Sequence, residues 1–407
     1  MTSKIRFGFP SLRVLKNRDF STLWFGNLLS NIGTWMQQVA EPWLVLSLSN
    51  SPILLGVDSF LTDAPIWLLI LWGGVLADRR DRKKLILWLQ GLQTLCPLLI
   101  VLLLLIGKIQ VGIVILLSFV VGVTDALSGP AIQSLIPSVV PRGDIGDAIA
   151  LNSAQFNLSR VLGPFFAGVV MASLGAIGCF GVNVLSYIPF LLAIFLVRLP
   201  KRDPVPAEGD SLAEVARSVA DRPELRMLLL TVVGTSVLVA PVVTFLPVLV
   251  RDVFHRGAAG FGGALSFFGF GGLMGAAVVL YARDNPSRRK VSSWAAAAIG
   301  GLLIAVALSP SFELAILCVL LIGMGMVASN TAANSLLQSS IESRFRGRIS
   351  SLYTLGMRGG MPLGNLITGG VVSHFGVRRA LLANGILALA FQASLLAVPS
   401  RKRGGTR

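Results

Sequence analysis

The chain has 407 residues, of which 54% are hydrophobic and only 13% charged. A soluble domain carries about 25% charged residues, so there is too little charge here to cover a water-soluble fold. The formal net charge is +16, but Lys and Arg sit almost entirely in short links between apolar runs. No basic helix is interleaved with stacking aromatics, which excludes nucleic acid as a partner.

Met1 to Phe20 is basic and lacks an apolar h-region, so it does not read as a cleaved signal peptide. The first apolar run is therefore expected to stay as a membrane span. A spanning helix needs about 20 mostly apolar residues. Such runs occur at 20–46, 52–77, 84–106, 111–137, 145–173 and 176–197, then at 225–249, 259–282, 291–309, 312–338, 348–373 and 377–398. Gly175 to Gly178 marks the turn between the fifth and sixth. The fold class is all-α integral membrane, with about twelve transmembrane helices. Cys96, Cys179 and Cys318 lie in apolar runs without a CxxC neighbour, and His255 and His374 fall in links. Neither a disulfide framework, a metal site nor a cofactor is expected.

Positive residues set the orientation. With the N-terminus in the cytoplasm, that side collects Lys4 to Arg18, Arg79 to Lys84, Arg142, Arg198 to Arg226, Arg283 to Lys290, Arg344 to Arg348 and Arg401 to Arg407. The other side keeps Lys108, Arg251, Arg256, Arg378 and Arg379. A multi-pass protein of the cell membrane with both termini cytoplasmic follows. The longest link opens as a polar, proline-rich stretch from Pro200. Within it Ser211-Leu-Ala-Glu214 reads as a capping box, and Leu212, Val215, Ala216 and Val219 share one helical face. A short amphipathic helix on the cytoplasmic surface is expected there, with a disordered linker as the rival. The domains are then 1–197, a six-helix bundle; 198–224, the linker; and 225–407, a second six-helix bundle with a basic tail.

The two halves repeat. At a gapless shift of 201 positions Gly122 meets Gly323, Leu162-Gly163 meets Leu363-Gly364, Gly168 meets Gly369, Gly175 meets Gly376, Asn183 meets Asn384 and Gly74 meets Gly275. After span two the chain reads Gly74-Val-Leu-Ala-Asp78-Arg79-Arg80-Asp81-Arg82-Lys83-Lys84. This resembles the signature loop of the major facilitator superfamily, with Asp81 where Gly is often found. The resemblance implies two six-helix pseudo-repeat bundles, with the transport site between halves at mid-membrane. It also implies a conformational latch at Gly74, Asp78 and Arg82, since an anion is favoured at a helix N-terminus. A purely positive-inside anchor is the rival. In span five Gly163, Pro164 and Gly168 resemble the Gly-Pro pattern of antiporters, with Ala167 and Ser159 where glycines are expected; simple helix packing competes with that reading. Pro42-Trp43-Leu-Val, Pro130 to Pro137 and the Leu-Gly-Pro stretch together resemble the enterobactin-exporter and macrolide-efflux branch. Span four lacks the Arg of one drug–proton antiporter pattern and has Asp125 in that region.

Ionisable residues inside spans are costly and mark function by default. They are Glu41, Asp58, Asp63, Asp125, Arg160 and Arg358. Counting from span ends puts Asp63, Asp125, Arg160 and Arg358 near mid-membrane, and Glu41 and Asp58 toward the outer side in a water-filled cavity. Burial raises a carboxyl pKa and a nearby arginine lowers it, so Asp125 and Arg160 form a candidate proton-switched pair; a permanent ion pair is the alternative. Arg358 would bind an anionic substrate or pair across to the N-terminal half. The expected function is secondary active transport, not enzymatic: proton-coupled export of a small amphipathic compound, siderophore or macrolide-like, by a monomer. Movement of a lipid or lysolipid without proton coupling is the alternative. No GxxxxGK[ST] phosphate loop is present. An aspartyl-protease reading fails on spacing, because Gly122-Val-Thr-Asp125 is not GxGD. A non-transporting sensor predicts loss of the signature loop.

Overall fold

The computed structural model describes residues 12–197, 219, 222–282, 284–340 and 346–397. Nearly all of them are helical, and no strand occurs among them. In lipid every backbone amide must be paired within its own segment, which leaves the helix as the solution for apolar runs of this length.

Helix α1, Arg18–Ser49, starts at Asn17, whose Oδ1 accepts from the amides of Asp19 (3.0 Å) and Phe20 (3.2 Å). It stops at Asn50, in the left-handed region with φ 50, where Asn is among the better-tolerated residues. Helix α2 comes in two pieces, Pro52–Asp63 and Pro65–Arg79, parted where Pro65 has no amide to give. Helix α3, Arg82–Leu105, is capped by Asp81, which accepts from the Lys84 amide at 3.1 Å. Asp81 has φ −62, so the departure from glycine in the signature loop is a working N-cap. Helix α4 is Val111–Leu135. The stretch Ile145–Leu196 is broken at Gly175, φ 64, into α5 (145–174) and α6 (176–196).

In the second half, α7 runs as Pro223–Leu238 and Pro241–Val248, ending in a π turn, Leu249–Val253. Then come α8, Ala258–Tyr281; α9, Asn285–Leu308; α10, Phe312–Ser339; α11, Arg346–Phe375; and α12, Val377–Ala397. Gly376 parts α11 from α12 at φ 83, 201 residues after Gly175. The repeat is thus written in the backbone as well as in residue identity. Nine described stretches are long and apolar enough to cross a membrane. The stretch 145–196 supplies two crossings, while α1 and α11 have the length but carry more polar residues, so the described helices number twelve. His374 lies in the last turn of α11, with Nδ1 2.9 Å from the Gly370 carbonyl, not in the link after it.

The helices form two compact units: the described parts of Met1–Ala40 with Leu68–Pro206, and Glu41–Trp67 with Ala207–Arg407. In the first, a methyl group at Gly26 would lie 2.9 Å from the Pro189 carbonyl, and one at Gly73 2.7 Å from the Ala126 carbonyl. These glycines let α1 approach α6 and α2 approach α4. In the second, α8 and α10 meet glycine to backbone: a methyl at Gly271, Gly275 or Gly323 would strike a carbonyl of the facing helix at Leu320, Met324 or Phe268. The 41–67 segment is held to α7, α8 and α11. Arg251 donates to the Leu46 carbonyl (3.1 Å) and Asn50 Oδ1 (2.9 Å), Asn365 Nδ2 donates to Ser59 Oγ (2.6 Å), and Trp43 stacks on Phe261. The expected amphipathic helix of the linker lies outside the described residues, except that Val219 is buried with Leu225, Leu228 and Leu336.

Candidate functional site

Asp125 is half-buried in the middle of α4, inside the first unit. Around it the interior is polar in a way its helices' composition hides. Tyr187 of α6, one turn beyond Asn183, is buried at 2% exposure. Asn183 Nδ2 donates to Gln37 Oε1 at 2.6 Å, tying α6 to α1. Gln90 of α3 donates to Gln93 (2.8 Å) and to Ser128 Oγ of α4 (3.2 Å). Asn27 donates to Gln155 at 3.2 Å, tying α1 to α5. Buried polar groups persist when paired in this way.

Arg160 of α5 sets its guanidinium 5.7 Å from the centre of the Trp35 ring, a cation–π contact with α1. Gly163, Pro164 and Gly168 are buried, and a methyl at Gly163 would strike Trp35 Cβ; this motif packs α5 on α1. Asp63 ends the first piece of α2 and is half-buried. Arg358 is half-buried on α11, beside Gly359, which gives room to the Trp67 indole. Glu41 and Asp58 differ from expectation. They are 7% and 4% exposed, so they are packed within protein and not set in a water-filled cavity. Both belong to the 41–67 segment, which the second unit covers.

In the signature loop Arg82 opens α3, and Lys83 Nζ donates to the last carbonyls of α6, Phe195 (2.6 Å) and Val197 (3.1 Å). A cation at a helix C-terminus is favoured by the dipole. Gly74 and Asp78 lie on Pro65–Arg79, and their surroundings fall outside the described residues. A cavity of about 20 Å³ in the first unit, lined by Trp24, Asn27, Asn152 and Phe190, has room for about one water. A cleft of about 290 Å³ in the second unit carries Glu224 and Arg289, 3.3 Å apart, at its edge. The intramembrane acids line neither. No cluster of three or more His, Cys, Asp or Glu able to hold a metal occurs among the described residues.

Sequence reasoning missed Asn183, Gln37 and the buried Tyr187. Asn183 was marked by the repeat, where it meets Asn384, which itself donates to Thr368 Oγ1 at 2.9 Å. That coincidence was the available signal.

Twelve apolar helices in a six-plus-six repeat, with acids held inside the first six, define a secondary transporter of the major facilitator type, not an enzyme. The solved structures agree on fold: a bacterial homologue of the human lysosomal transporter Spinster, inward-facing and unoccupied, matches with a TM-score of 0.71 at 17% identity, covering 93% of this chain and 96% of that one. The nucleoside transporter NupG matches with a TM-score of 0.72 at 12% identity, covering 93% and 98%. The chain belongs to the transmembrane secretion effector family, whose model matches residues 10–404. Among its relatives are the staphyloferrin A transporter of Staphylococcus aureus, 25% identical over 87% of this chain and 90% of that protein, and macrolide efflux protein A of Streptococcus pyogenes, 22% identical over 90% and 93%. The enterobactin exporter EntS of Citrobacter koseri is 25% identical over 89% and 87%.

Proposed function

We propose that this transporter exports a small amphipathic compound of the siderophore or macrolide kind in exchange for protons, with Asp125 as the proton-carrying group. The observation that carries the reading is an acidic residue, half-buried, in the middle of the apolar span α4. Such a group is costly to keep unless it works. The relatives that handle siderophores and macrolides support the substrate class. Both termini face the cytoplasm in this reading, the 198–224 linker joins two bundles that rock against each other, and Asp78 and Arg82 bias one conformation. Seating of the 41–67 segment on α7, α8 and α11 belongs to one conformation and must loosen in the other.

The test is proton flux in proteoliposomes of the purified chain under a preset pH gradient, with catecholate siderophores, macrolides and lysolipids as probes. The expected result is a siderophore or macrolide that collapses the gradient with the wild type, at least about tenfold more slowly with Asp125→Asn, the loss expected of a key protonatable group. Transport of a lysolipid with no proton movement, equal in both proteins, would overturn the reading in favour of a lipid uniporter.

A further inference from the structure

The cleft of about 290 Å³ in the second unit lies where α7 and α9 begin and α10 ends. Its lining divides by exposure. Leu225, Leu228 and Leu336 are buried, whereas Glu224, Pro286 and Ser340 are exposed. Arg289 Nη1 meets Glu224 Oε1 at 3.3 Å, with the side chains 39% and 66% exposed. A pair this open to water holds weakly, so another anion can take the place of Glu224. At Ser340 a second guanidinium reaches the cleft: Arg222 Nη1 donates to the Ser340 carbonyl at 3.3 Å. A guanidinium has five donors, and this bond uses one. Arg226 and Lys290 are exposed next along α7 and α9. Arg288 is engaged with the Ala282 carbonyl (3.0 Å) and Ser335 Oγ (2.9 Å), and Asp284 caps α9 by accepting from the Ser287 amide at 2.9 Å. The first turns of α7 and α9 add the positive ends of two helix dipoles.

Two exposed aromatics mark the level of this cleft in the bilayer. Tyr281, at the end of α8, is 85% exposed, and Trp294, on α9, is 68% exposed. Such rings sit at the height of the lipid headgroups, and Pro286 and Arg289 lie between them in the chain. Buried leucines beside exposed arginines at that height suit an anion with an apolar end better than a fully hydrated one. We propose that the cleft binds the headgroup of an anionic phospholipid. The lipid phosphate displaces Glu224 from Arg289 and takes Arg222 as a second donor, while the glycerol end rests on Leu225, Leu228 and Leu336. Glu224 is then a built-in competitor for the site. The exchange breaks no covalent bond and involves neither Asp125 nor proton movement, so it stands apart from the exporter reading.

Native mass spectrometry of the full chain in detergent tests this, with phosphatidylglycerol and phosphatidylcholine as probes and inorganic phosphate as competitor. The expected result is tighter binding of the first phosphatidylglycerol than of the first phosphatidylcholine. Arg289→Gln should weaken the phosphatidylglycerol complex about fivefold, the effect of one cation at an anionic surface. Arg222→Gln, should Arg289→Gln not fold, weakens it in the same way. Glu224→Gln should tighten it. Both Arg289→Gln and Glu224→Gln break the same ion pair, so opposite signs separate a ligand site from a structural contact. Affinities that fall together in the two variants, or move in neither, overturn the proposal. So does equal binding of the two lipids. Inorganic phosphate that displaces phosphatidylglycerol at equal concentration overturns it in favour of a soluble anion.

Discussion

Where α6 meets α1 in the first unit, the contact is made by an amide pair and a hydroxyl: Asn183 donates to Gln37, and Ser186 lies against Asn183 Oδ1. Where α10 meets α8 in the second, it is made by Gly271, Gly275 and Gly323 against bare backbone. The first kind of contact has donors and acceptors that a neighbouring charge can rearrange; the second has nothing to titrate and little room to give. Charge divides by order along the chain and not by unit, since Glu41, Asp58 and Asp63 belong to the second unit. Glu41, Asp58, Asp63 and Asp125 lie within spans, whereas Glu224, Asp252, Asp284 and Glu313 of the later helices sit at helix ends. The repeat equates α1–α6 with α7–α12, where Thr231 Oγ1 donates to Gln392 Oε1 at 3.4 Å, and α8–α10 with α2–α4, where Gly73 faces the Ala126 carbonyl, so each kind of contact recurs in both halves.

The sharpest way to break this comparison is Gly271→Val. Its Cβ would strike the Leu320 carbonyl, and backbone yields far less than a side chain. Overpacking costs about 1–3 kcal/mol and more when nothing can move, so the folded yield by size-exclusion chromatography should fall severely. Near-normal yield would show that α8 and α10 slide freely. A smaller effect is expected of Asn183→Ala. It leaves the buried Gln37 oxygen without this donor, at about 1–3 kcal/mol. The expected result is a lower thermal midpoint in detergent, with folded protein still recovered.

The smallest effect concerns Asp284, the N-cap of α9. The Ser287 hydroxyl and amide hold its carboxyl below the usual carboxylate range. A depressed folded-state value means the stabilisation is present above the unfolded-state value and fades as pH falls through the folded one. Thermal midpoints of Asp284→Asn and the wild type should accordingly converge toward acid and separate slightly at neutral pH. A gap that widens in acid would reverse the sign and reject this account.

The spans were legible because a run of about 20 apolar residues has one use in a chain with so little charge. The Gly175 and Gly376 breaks were legible as well, since the same residue recurs at the repeat distance. Asp81 was legible as a departure, but its cause, a cap on α3, needed the backbone. The polar contacts of α1 with α6 were hidden because their partners lie 146 residues apart, and no local period records such a distance. Glu41 and Asp58 were misplaced for a related reason. Depth along a helix can be counted from sequence, but what covers the helix at that depth cannot.

Residues 41–67 pack with the second unit although the chain delivers them between two stretches of the first. A cut in the link near residue 210 would therefore not yield two self-sufficient pieces. The later piece would leave bare the strip of α11 at Asn365 and Gly369 that Pro52 and Gly56 cover in the whole chain. During synthesis, α7 to α12 must wait for a seam that was made first, so the order of translation is part of how this protein assembles.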